Sequence, residues 1–388
     1  MAMHTTSAGA GSDTAWIVER AKASGFDLCG IVRAEKFPEL DLREWLARGY
    51  AGEMKYLMDS RRSDPQRVMP DLRTVIVCAL NYNSPAPRSV DALQQSGPEP
   101  RGWISRYAWG QDYHEVLHEK LQNLANSLRD RFAEPFETRI YADTGPLNER
   151  VFAKHAGLGW LGKNTLLLNS KLGSWFFLGV ILTSLDVPPT LGAAESPPPD
   201  LCGSCTRCID ACPTGALVQP YVMDARLCIS YLTIELRGRI PEPLREPMGR
   251  HVFGCDICQD VCPWNRRAPE THATQFQPRS FPQPQEDKSR EETADPTPSI
   301  QEESFFSPRL EWLAGMTEEQ FRAVFRGSPA KRTKWHGLVR NACIALGNSA
   351  LVPGSSRHSK IAQLLTKLSA SPDPSVSESA QWALSRIQ

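Results

Sequence analysis

The sequence has no excess of charge of either sign. Its 388 residues include 44 Lys and Arg and 44 Asp and Glu, so the formal net charge is +0. A neutral chain carries no general positive field that would attract nucleic acid. Any basic surface for such a partner must therefore be local.

The sequence also lacks long apolar runs and an export leader. No stretch approaches the roughly eighteen apolar residues that a membrane-spanning helix needs. Residues 1–13 (MAMHTTSAGAGSD) contain no basic and apolar signal segment and no twin-arginine pair. We therefore expect a cytoplasmic protein that makes no contact with a membrane.

Cysteine is plentiful and unevenly placed. Eight of the 11 cysteines fall between Cys202 and Cys262. In a reducing compartment they are not expected to form disulfides, so a metal or cluster site is the first hypothesis. Cys29, Cys78 and Cys343 lie in apolar stretches, where a thiol usually acts as a small buried hydrophobe.

The hydrophobic pattern predicts an α+β protein of several domains. Helical and strand patterns alternate through residues 13–198, which predicts an N-terminal α/β domain with strands near 26–32, 73–82 and 175–185. A long amphipathic helix is expected from Asp112 to Arg131. The further predicted regions are a cysteine-rich domain (199–266), a Pro- and Glu-rich linker (267–303) and a helical domain of HEAT-like repeats (304–388).

The helical tail carries the local basic patch that a neutral composition would need for a nucleic-acid partner. It begins with a capping-box pattern at Thr317–Gln320 and includes a helix that ends near Gly347. Its basic residues are Arg322, Arg326, Lys331, Arg332, Lys334, His336 and Arg340, with Trp335 among them. Phosphate contacts and base stacking are one interpretation, and a solvated helix face is the other.

The cysteine spacing is that of a two-cluster ferredoxin. Residues 202–213 (CGSCTRCIDACP) have gaps of two, two and three residues before a proline, and residues 255–263 (CDICQDVCP) repeat the end of this pattern. In such runs the fourth cysteine binds the other cluster. The first cluster is then assigned to Cys202, Cys205, Cys208 and Cys262, and the second to Cys212, Cys228, Cys255 and Cys258.

Cys228 enters this assignment because the second set lacks a fourth ligand and no other cysteine remains in the region. Two structural zinc sites are the alternative, because four thiolates also bind zinc. The proline after each last cysteine favours the clusters.

Two segments of the first domain hold candidate active-site residues. Residues 141–150 (YADTGPLNER) place Asp143 at the end of a predicted strand, with Pro146 early in the next helix; Asp143 is either catalytic or only a helix cap. Residues 155–174 combine three glycines with Lys163 and Asn164, which suits close approach to a ligand. No nucleotide-binding fingerprint is present.

Together these segments make the sequence resemble the epoxyqueuosine reductase family from about residue 25 to 265. The segments that carry the resemblance are 105–114 (SRYAWGQDYH), 141–150, 156–169 (AGLGWLGKNTLLLN), 202–216, 224–238 (DARLCISYLTIELRG) and 254–265 (GCDICQDVCPWN). The resemblance implies a cobalamin held by the first domain and reduced through two 4Fe–4S clusters. The implied reaction is the two-electron deoxygenation of epoxyqueuosine in tRNA to queuosine.

The resemblance also implies roles for individual residues. Asp143 maps onto the family's proton donor, a role that fits a carboxylic acid if burial raises its pKa. The implied cofactor contacts are Arg62, Arg106, Asp143, Lys163, Asn164, Ser174, Ser230, Cys255 and Asp256. Residues 112–114 (DYH) lack the glycine of a cobalt-ligating motif, so no axial role is assigned to them.

The implied partners are a tRNA anticodon stem-loop bearing epoxyqueuosine and an unidentified electron donor, with the enzyme as a monomer. The first alternative is a corrinoid reductive dehalogenase, although such enzymes usually carry the twin-arginine signal that this sequence lacks. The second alternative is a two-cluster electron-transfer protein with no catalytic site of its own.

Overall fold

A computed structural model describes residues 10–93, 99–280 and 304–387. The chain forms two compact units. Unit 1 comprises Met1–Pro85, Asp112–Cys228 and Ile257–Gln275, and unit 2 comprises Ala86–Gln111, Ile229–Asp256 and Phe276–Gln388. Each unit is therefore built from separate stretches of chain, and its limits differ from the predicted boundaries at 198 and 266. Residues 281–303 of the predicted linker lie outside the described residues.

The elements follow in chain order. The strands are β1 (Leu28–Arg33), β2 (Thr74–Asn81), β3 (Trp103–Ile104), β4 (Thr138–Tyr141), β5 (Trp160–Leu161), β6 (Leu167–Leu168), β7 (Phe176–Thr183) and β8 (His251–Phe253). The helices are α1 (Ala10–Ala23), α2 (Arg43–Ala47), α3 (Ser89–Ala92), α4 (Tyr113–Arg131), α5 (Glu149–His155), α6 (Arg207–Asp210), α7 (Ile229–Ile234), α8 (Glu242–Arg245), α9 (Ile257–Asp260), α10 (Leu310–Ala314), α11 (Glu318–Val324), α12 (Lys334–Gly347), α13 (Ser356–Ser369) and α14 (Pro374–Ile387). None of the described helices is both long and apolar enough to cross a membrane.

The central sheet of unit 1 is antiparallel. Its strand order is β1-β2-β7-β4, and all three pairings run in opposite directions. The sequence left the direction of the strands open, and every strand pairing in the described part of unit 1 is antiparallel. The three strands predicted near 26–32, 73–82 and 175–185 are confirmed as β1, β2 and β7. Alternation locates strands but does not fix their direction, because long connections can join strands in either sense.

Helices cover both faces of this sheet, which explains why every residue of β2 is buried. One face packs Val75 and Val77 against Val151 and Phe152 of α5. On the other face α4 lies on β7, where Gly179 leaves room for Leu117 and Leu121. The predicted helix from Asp112 is confirmed as α4, and its first residue follows Asp112, whose side chain caps it.

Unit 2 joins a short parallel strand pair to a group of helices. Strand β3 pairs with β8, and α12 packs against β8, α10 and α14. The predicted capping box at Thr317 and Gln320 is present at the start of α11. All three cysteines that were predicted to be buried hydrophobes are buried: Cys29 and Cys78 in unit 1 and Cys343 in unit 2.

The described part of the predicted linker is packed rather than free. In unit 1, Thr271 donates its backbone N–H to the Asn83 carbonyl at 2.7 Å. In unit 2, Phe276 is buried, and the backbone N–H of Arg279 donates to the Trp109 carbonyl at 3.0 Å. Burial of an aromatic side chain and saturation of backbone groups give these residues a structural role.

Candidate active site and cluster centre

Asp143 lies in a loop rather than at a helix cap. Strand β4 ends at Tyr141 and α5 begins at Glu149, with Asn148 at the cap position. Pro146 therefore precedes the helix, and its expected early helical position was wrong. Asp143 adopts a φ of +61°, in the left-handed region that aspartate tolerates better than most residues. The capping alternative for Asp143 is excluded by this geometry.

The carboxyl group of Asp143 is exposed yet held by residues at the start of α4. Tyr113 Oη donates to Asp143 Oδ2 at 2.8 Å, and the Tyr113 ring stacks on Phe177 with centroids 4.3 Å apart. The side chain of Asp143 is 65 % exposed. The burial that was expected for Asp143 is therefore absent among the described residues, and an accessible carboxyl here can meet a ligand from solvent.

His114 stands between two carboxylates. Its Nδ1 is 2.6 Å from Oδ1 of Asp112, and its Nε2 is 3.6 Å from Oδ2 of Asp143. Burial alone would lower the pKa of His114, but the hydrogen bonds and charges of the two aspartates raise this pKa to about 9. The imidazole is therefore protonated at neutral pH.

A second carboxyl group, that of Glu149, lies near Asp143 at the start of α5. Its Oε1 is inaccessible to solvent and has no hydrogen-bond partner among the described residues. Burial first, and the charge of Asp143 second, raise the pKa of Glu149 to about 7. The same loop is anchored by Arg62, whose Nη1 donates to the Leu147 carbonyl at 2.8 Å.

The other predicted cofactor contacts of unit 1 are engaged with the cysteine-bearing segments. Lys163 Nζ donates to the carbonyl oxygens of Gly203 and Cys205, at 2.5 and 3.0 Å. Ser174 Oγ accepts hydrogen bonds from Gln259 and Asn265. Asn164, also buried, directs its amide to the Cys258 carbonyl at 3.5 Å. These three side chains hold the cysteine loops in place.

The thiols assigned to the first cluster all belong to unit 1 and interact electrostatically with one another. Burial, followed by the charges of Cys262 and Cys202, raises the pKa of Cys208 to about 11. The charges of Cys202 and Cys205 likewise act on Cys262, after burial, to raise its pKa. Each thiol therefore lies within electrostatic range of others in the set, as ligands of one cluster must.

The surroundings of these thiols fit a cluster. Trp160 and Trp264 pack edge to face, 5.1 Å apart, against Cys202 and Cys262. Trp160 Nε1 is buried without a hydrogen-bond partner among the described residues. Burial raises the pKa of the Cys202 thiol, and the nearby Trp160 N–H opposes part of that rise. An indole N–H of this kind can donate to a thiolate or sulfide, and such hydrogen bonds tune cluster potentials.

The four cysteines assigned to the second cluster are described by unit. Cys212, Cys228 and Cys258 belong to unit 1, and Cys255 belongs to unit 2. No disulfide joins any two cysteines among the described residues. Within the described ranges, no three His, Cys, Asp or Glu side chains converge as ligands of a single metal ion.

Asp256 is the centre of a hydrogen-bond network in unit 2. Its carboxylate accepts from Trp103 Nε1 at 2.9 Å, from Ser105 Oγ and from the backbone N–H of Arg106 at 2.8 Å. The buried Arg106 side chain donates to the carbonyl oxygens of residues 86 and 87. Ser230, half-buried in α7, is the remaining predicted cofactor contact of this unit.

The predicted basic patch is smaller than the sequence indicated. Arg340 is fully buried in unit 2, where its guanidinium donates to the carbonyl oxygens of Leu232, Leu236 and Gly238. Its inclusion in a surface patch was wrong, because its position on α12 faces the core. Arg332 pairs with Glu235. The exposed basic residues of the set are Arg322, Arg326, Lys331, Arg332, Lys334 and His336.

His114 and Glu149 are not among the functional residues that the sequence predicts. His114 was considered only as a cobalt ligand. The one sequence feature that indicates its role is Asp112, two residues earlier, which accepts a hydrogen bond from its ring. Glu149 gave no signal beyond its place in the segment 141–150. Both depend on contacts with Asp143, which sequence spacing does not reveal.

Comparisons with known proteins agree on one family. Residues 62–144 match the model described as "Epoxyqueuosine reductase QueG, DUF1730", and residues 201–265 match the "4Fe-4S double cluster binding domain". An epoxyqueuosine reductase of Gloeobacter violaceus is 42 % identical over 348 residues, covering 86 % of this chain and 96 % of the relative. That of Pseudomonas aeruginosa is 38 % identical and covers 93 % and 91 %.

Solved structures give the same result. An epoxyqueuosine reductase crystallised with an epoxyqueuosine-modified tRNA-Tyr stem loop superposes with a TM-score of 0.78 at 29 % identity, covering 97 % of this chain and 91 % of that one. The Bacillus subtilis enzyme, solved with its catalytic aspartate loop swung out of the active site, gives 0.75 at 29 % identity, with the same coverage. These matches favour the reductase over the dehalogenase and electron-carrier alternatives.

Proposed function

The chain belongs to the epoxyqueuosine reductase family, and we propose roles for its own residues in that reaction. It is an oxidoreductase that converts epoxyqueuosine in tRNA to queuosine and uses two 4Fe–4S clusters and cobalamin. Cobalamin, when bound, supplies the two electrons that reduce the epoxide carbon. The residues of this chain bind the cofactors and the nucleoside and provide protons.

Asp143 is the acid that protonates the departing epoxide oxygen. The observation that carries this role is an accessible carboxyl in a left-handed turn, fixed at Oδ2 by Tyr113. An alkoxide is a poor leaving group, so a positioned proton donor lowers the barrier. A catalytic aspartate in a loop is also named for the Bacillus subtilis relative.

The test is the variant Asp143→Asn in the holoenzyme. The amide keeps the size and hydrogen bonds of the side chain but carries no acidic proton, so the rate should fall by about a hundredfold or more. Single-turnover conversion of a modified stem-loop measures it, with iron and cobalamin content determined in parallel. Asp71→Asn, which changes an exposed aspartate outside the site, is the matched control. Conversion at the parent rate would exclude Asp143 as the acid.

We keep the assignment of the eight cysteines to two clusters that their spacing predicts. Cys202, Cys205, Cys208 and Cys262 hold one cluster, and Cys212, Cys228, Cys255 and Cys258 hold the other. Electrostatic contact among the first four thiols and the apolar wall of Trp160 and Trp264 support the first set. Cys228→Ala should remove about half of the iron and sulfide, whereas Cys29→Ala should remove none.

The helical tail of unit 2 is the surface we assign to the tRNA stem. Exposed Arg326, Lys331 and Lys334 supply positive charge, and a relative has been solved with a tRNA stem loop. The packing of α12 on α14, and of α13 on α14, is compatible with HEAT-like repeats. Reversing these three charges should weaken tRNA binding and reduce its dependence on salt, while cofactor content stays constant.

The predicted cobalamin contacts remain those that the family resemblance implies. Arg62, Asp143, Lys163, Asn164 and Ser174 belong to unit 1, and Arg106, Ser230, Cys255 and Asp256 belong to unit 2. Asp143 and Arg62 keep part of their side chains accessible to a ligand, whereas Lys163, Asn164 and Ser174 act through the loops they fix. The domain boundaries, monomeric state, cytoplasmic location and separate electron donor stay predictions.

A further inference from the structure

The reaction needs more protons than one carboxylic acid can provide. Removing the epoxide oxygen as water consumes two electrons and two protons, and the electrons come from the reduced cofactors. Asp143 carries one proton at a time, so its carboxylate must be protonated again for the second transfer. A protonated group close to Asp143 Oδ2 can supply this proton directly when bound tRNA keeps solvent away from the carboxylate.

We propose that His114 returns a proton to Asp143 in each turnover, and that Asp112 holds the His114 ring in place for this transfer. The proposal rests on the assignment of Asp143 as the acid. His114 acts through Asp143, so it is a positioning and proton-supplying residue and does not contact the reacting atoms. Nothing in the family comparison assigns it.

The geometry fixes which proton moves. Asp112 is buried, with a side chain 3 % exposed, and it accepts from both the backbone N–H and Nδ1 of His114, at 3.2 and 2.6 Å. Nδ1 therefore keeps its hydrogen in both charge states of the ring. The titrating proton is on Nε2, which lies 3.6 Å from Asp143 Oδ2, just beyond hydrogen-bond length.

The exposed fraction of the side chain increases from Asp112 to His114 to Asp143. Asp112 is buried, the His114 side chain is 31 % exposed, and that of Asp143 is 65 % exposed. The Nε2–H bond breaks, the Oδ2–H bond of Asp143 forms, and the electron pair stays on the ring nitrogen. The neutral ring then takes a proton from water or buffer. No metal or oxidant takes part in this transfer.

Several other ionisable groups lie around His114 and Asp143. The His114 ring faces Asp112 and Asp143 and stacks on Tyr113 at 4.0 Å. From the loop and α5, Glu149 and Arg150 interact electrostatically with Asp143. Tyr113 also donates to Oδ2, so Tyr113→Phe tests it as a competing proton source.

The first measurement is an NMR titration of the His114 imidazole. Its pKa should lie near 9 in the parent protein and fall in both Asp112→Asn and Asp143→Asn, because each variant removes a neighbouring negative charge. This result requires no turnover. A His114 pKa that does not change in Asp143→Asn would overturn the proposal, because the ring would then not interact with the Asp143 carboxylate.

The second measurement is the pH–rate profile of the holoenzyme with a modified stem-loop. His114→Ala should lower kcat by about ten- to a hundredfold with little change in KM, and added imidazole should restore the rate. His118→Gln, which alters an exposed histidine one turn further along α4, should change nothing. Parent kcat and pH profile in His114→Ala, or a loss that imidazole does not restore, would reject the relay.

The outcomes for His114 and Asp143 can be told apart. If Asp143→Asn is inactive while His114→Ala behaves as the parent, the relay is wrong and the acid assignment stands. If Asp143→Asn keeps the parent rate, the acid assignment fails, and the relay fails with it. If kcat falls in Tyr113→Phe but not in His114→Ala, and added imidazole does not restore it, the tyrosine supplies the proton. That outcome rejects the proposal.

Discussion

Two aspartates that the sequence grouped as cofactor contacts have opposite environments. Asp256 in unit 2 is buried, and its two oxygens accept hydrogen bonds from Trp103, Ser105 and Arg106. Asp143 in unit 1 is exposed, lies in a left-handed turn and is held at one oxygen by Tyr113. A carboxylate saturated by the protein stabilises its surroundings, whereas an accessible one can exchange a proton with a ligand.

The largest expected effect is that of Asp256→Ala. The change leaves Trp103 Nε1, Ser105 Oγ and the Arg106 N–H in a buried site without their acceptor, which should lower the free energy of unfolding by about 3–5 kcal/mol. Urea denaturation of the full-length protein measures it, and Asp256→Asn, which keeps one acceptor oxygen, should lose less. A cost below about 1 kcal/mol would break the contrast with Asp143.

Arg340 extends the same contrast to the basic residues of the tail. Arg340→Met should lower the free energy of unfolding by about 2–4 kcal/mol, because the carbonyl oxygens of Leu232, Leu236 and Gly238 lose their donor. Lys331→Met changes an exposed side chain and should stay within about 0.5 kcal/mol. Equal losses in thermal unfolding would contradict the distinction between interior and surface.

The pH dependence of stability tests the electrostatic interaction between Glu149 and Asp143. Its folded-state pKa is raised to about 7 from the ordinary 4.5, so its stabilising contribution is complete below pH 4.5 and is lost as pH rises through 7. Relative to Glu149→Gln, the parent should therefore lose about 3 kcal/mol of unfolding free energy between pH 4.5 and 8. Denaturation curves of both proteins across this range measure the difference, and parallel curves would refute the raised pKa.

The smallest effect is expected for the stability of Asp143→Asn. Asparagine tolerates the left-handed backbone and accepts from Tyr113 with its carbonyl oxygen, so the free energy of unfolding should change by less than about 0.5 kcal/mol. Thermal unfolding of the variant and the parent checks this. A loss comparable with that of Asp256→Ala would make Asp143 a structural residue.

The sequence by itself determined the cluster chemistry and the family. Cysteine spacing is a local property, so the ferredoxin pattern at 202–213 and 255–263 could be identified without knowledge of the tertiary structure. Helix α4 and strands β1, β2 and β7 were also predicted correctly, because the spacing of apolar residues within a short segment indicates the type of secondary structure.

Only the tertiary structure decided which polar residues are exposed and which groups meet. Arg340 and Lys331 share a basic segment, yet the core of unit 2 encloses the first and solvent surrounds the second. The contact between His114 and Asp143 arises because the start of α4 and the loop after β4 are brought together by the packing of α4 on the sheet. Hydrogen bonds and pKa shifts depend on distances between segments far apart in the chain, and those distances exist only after the core has formed.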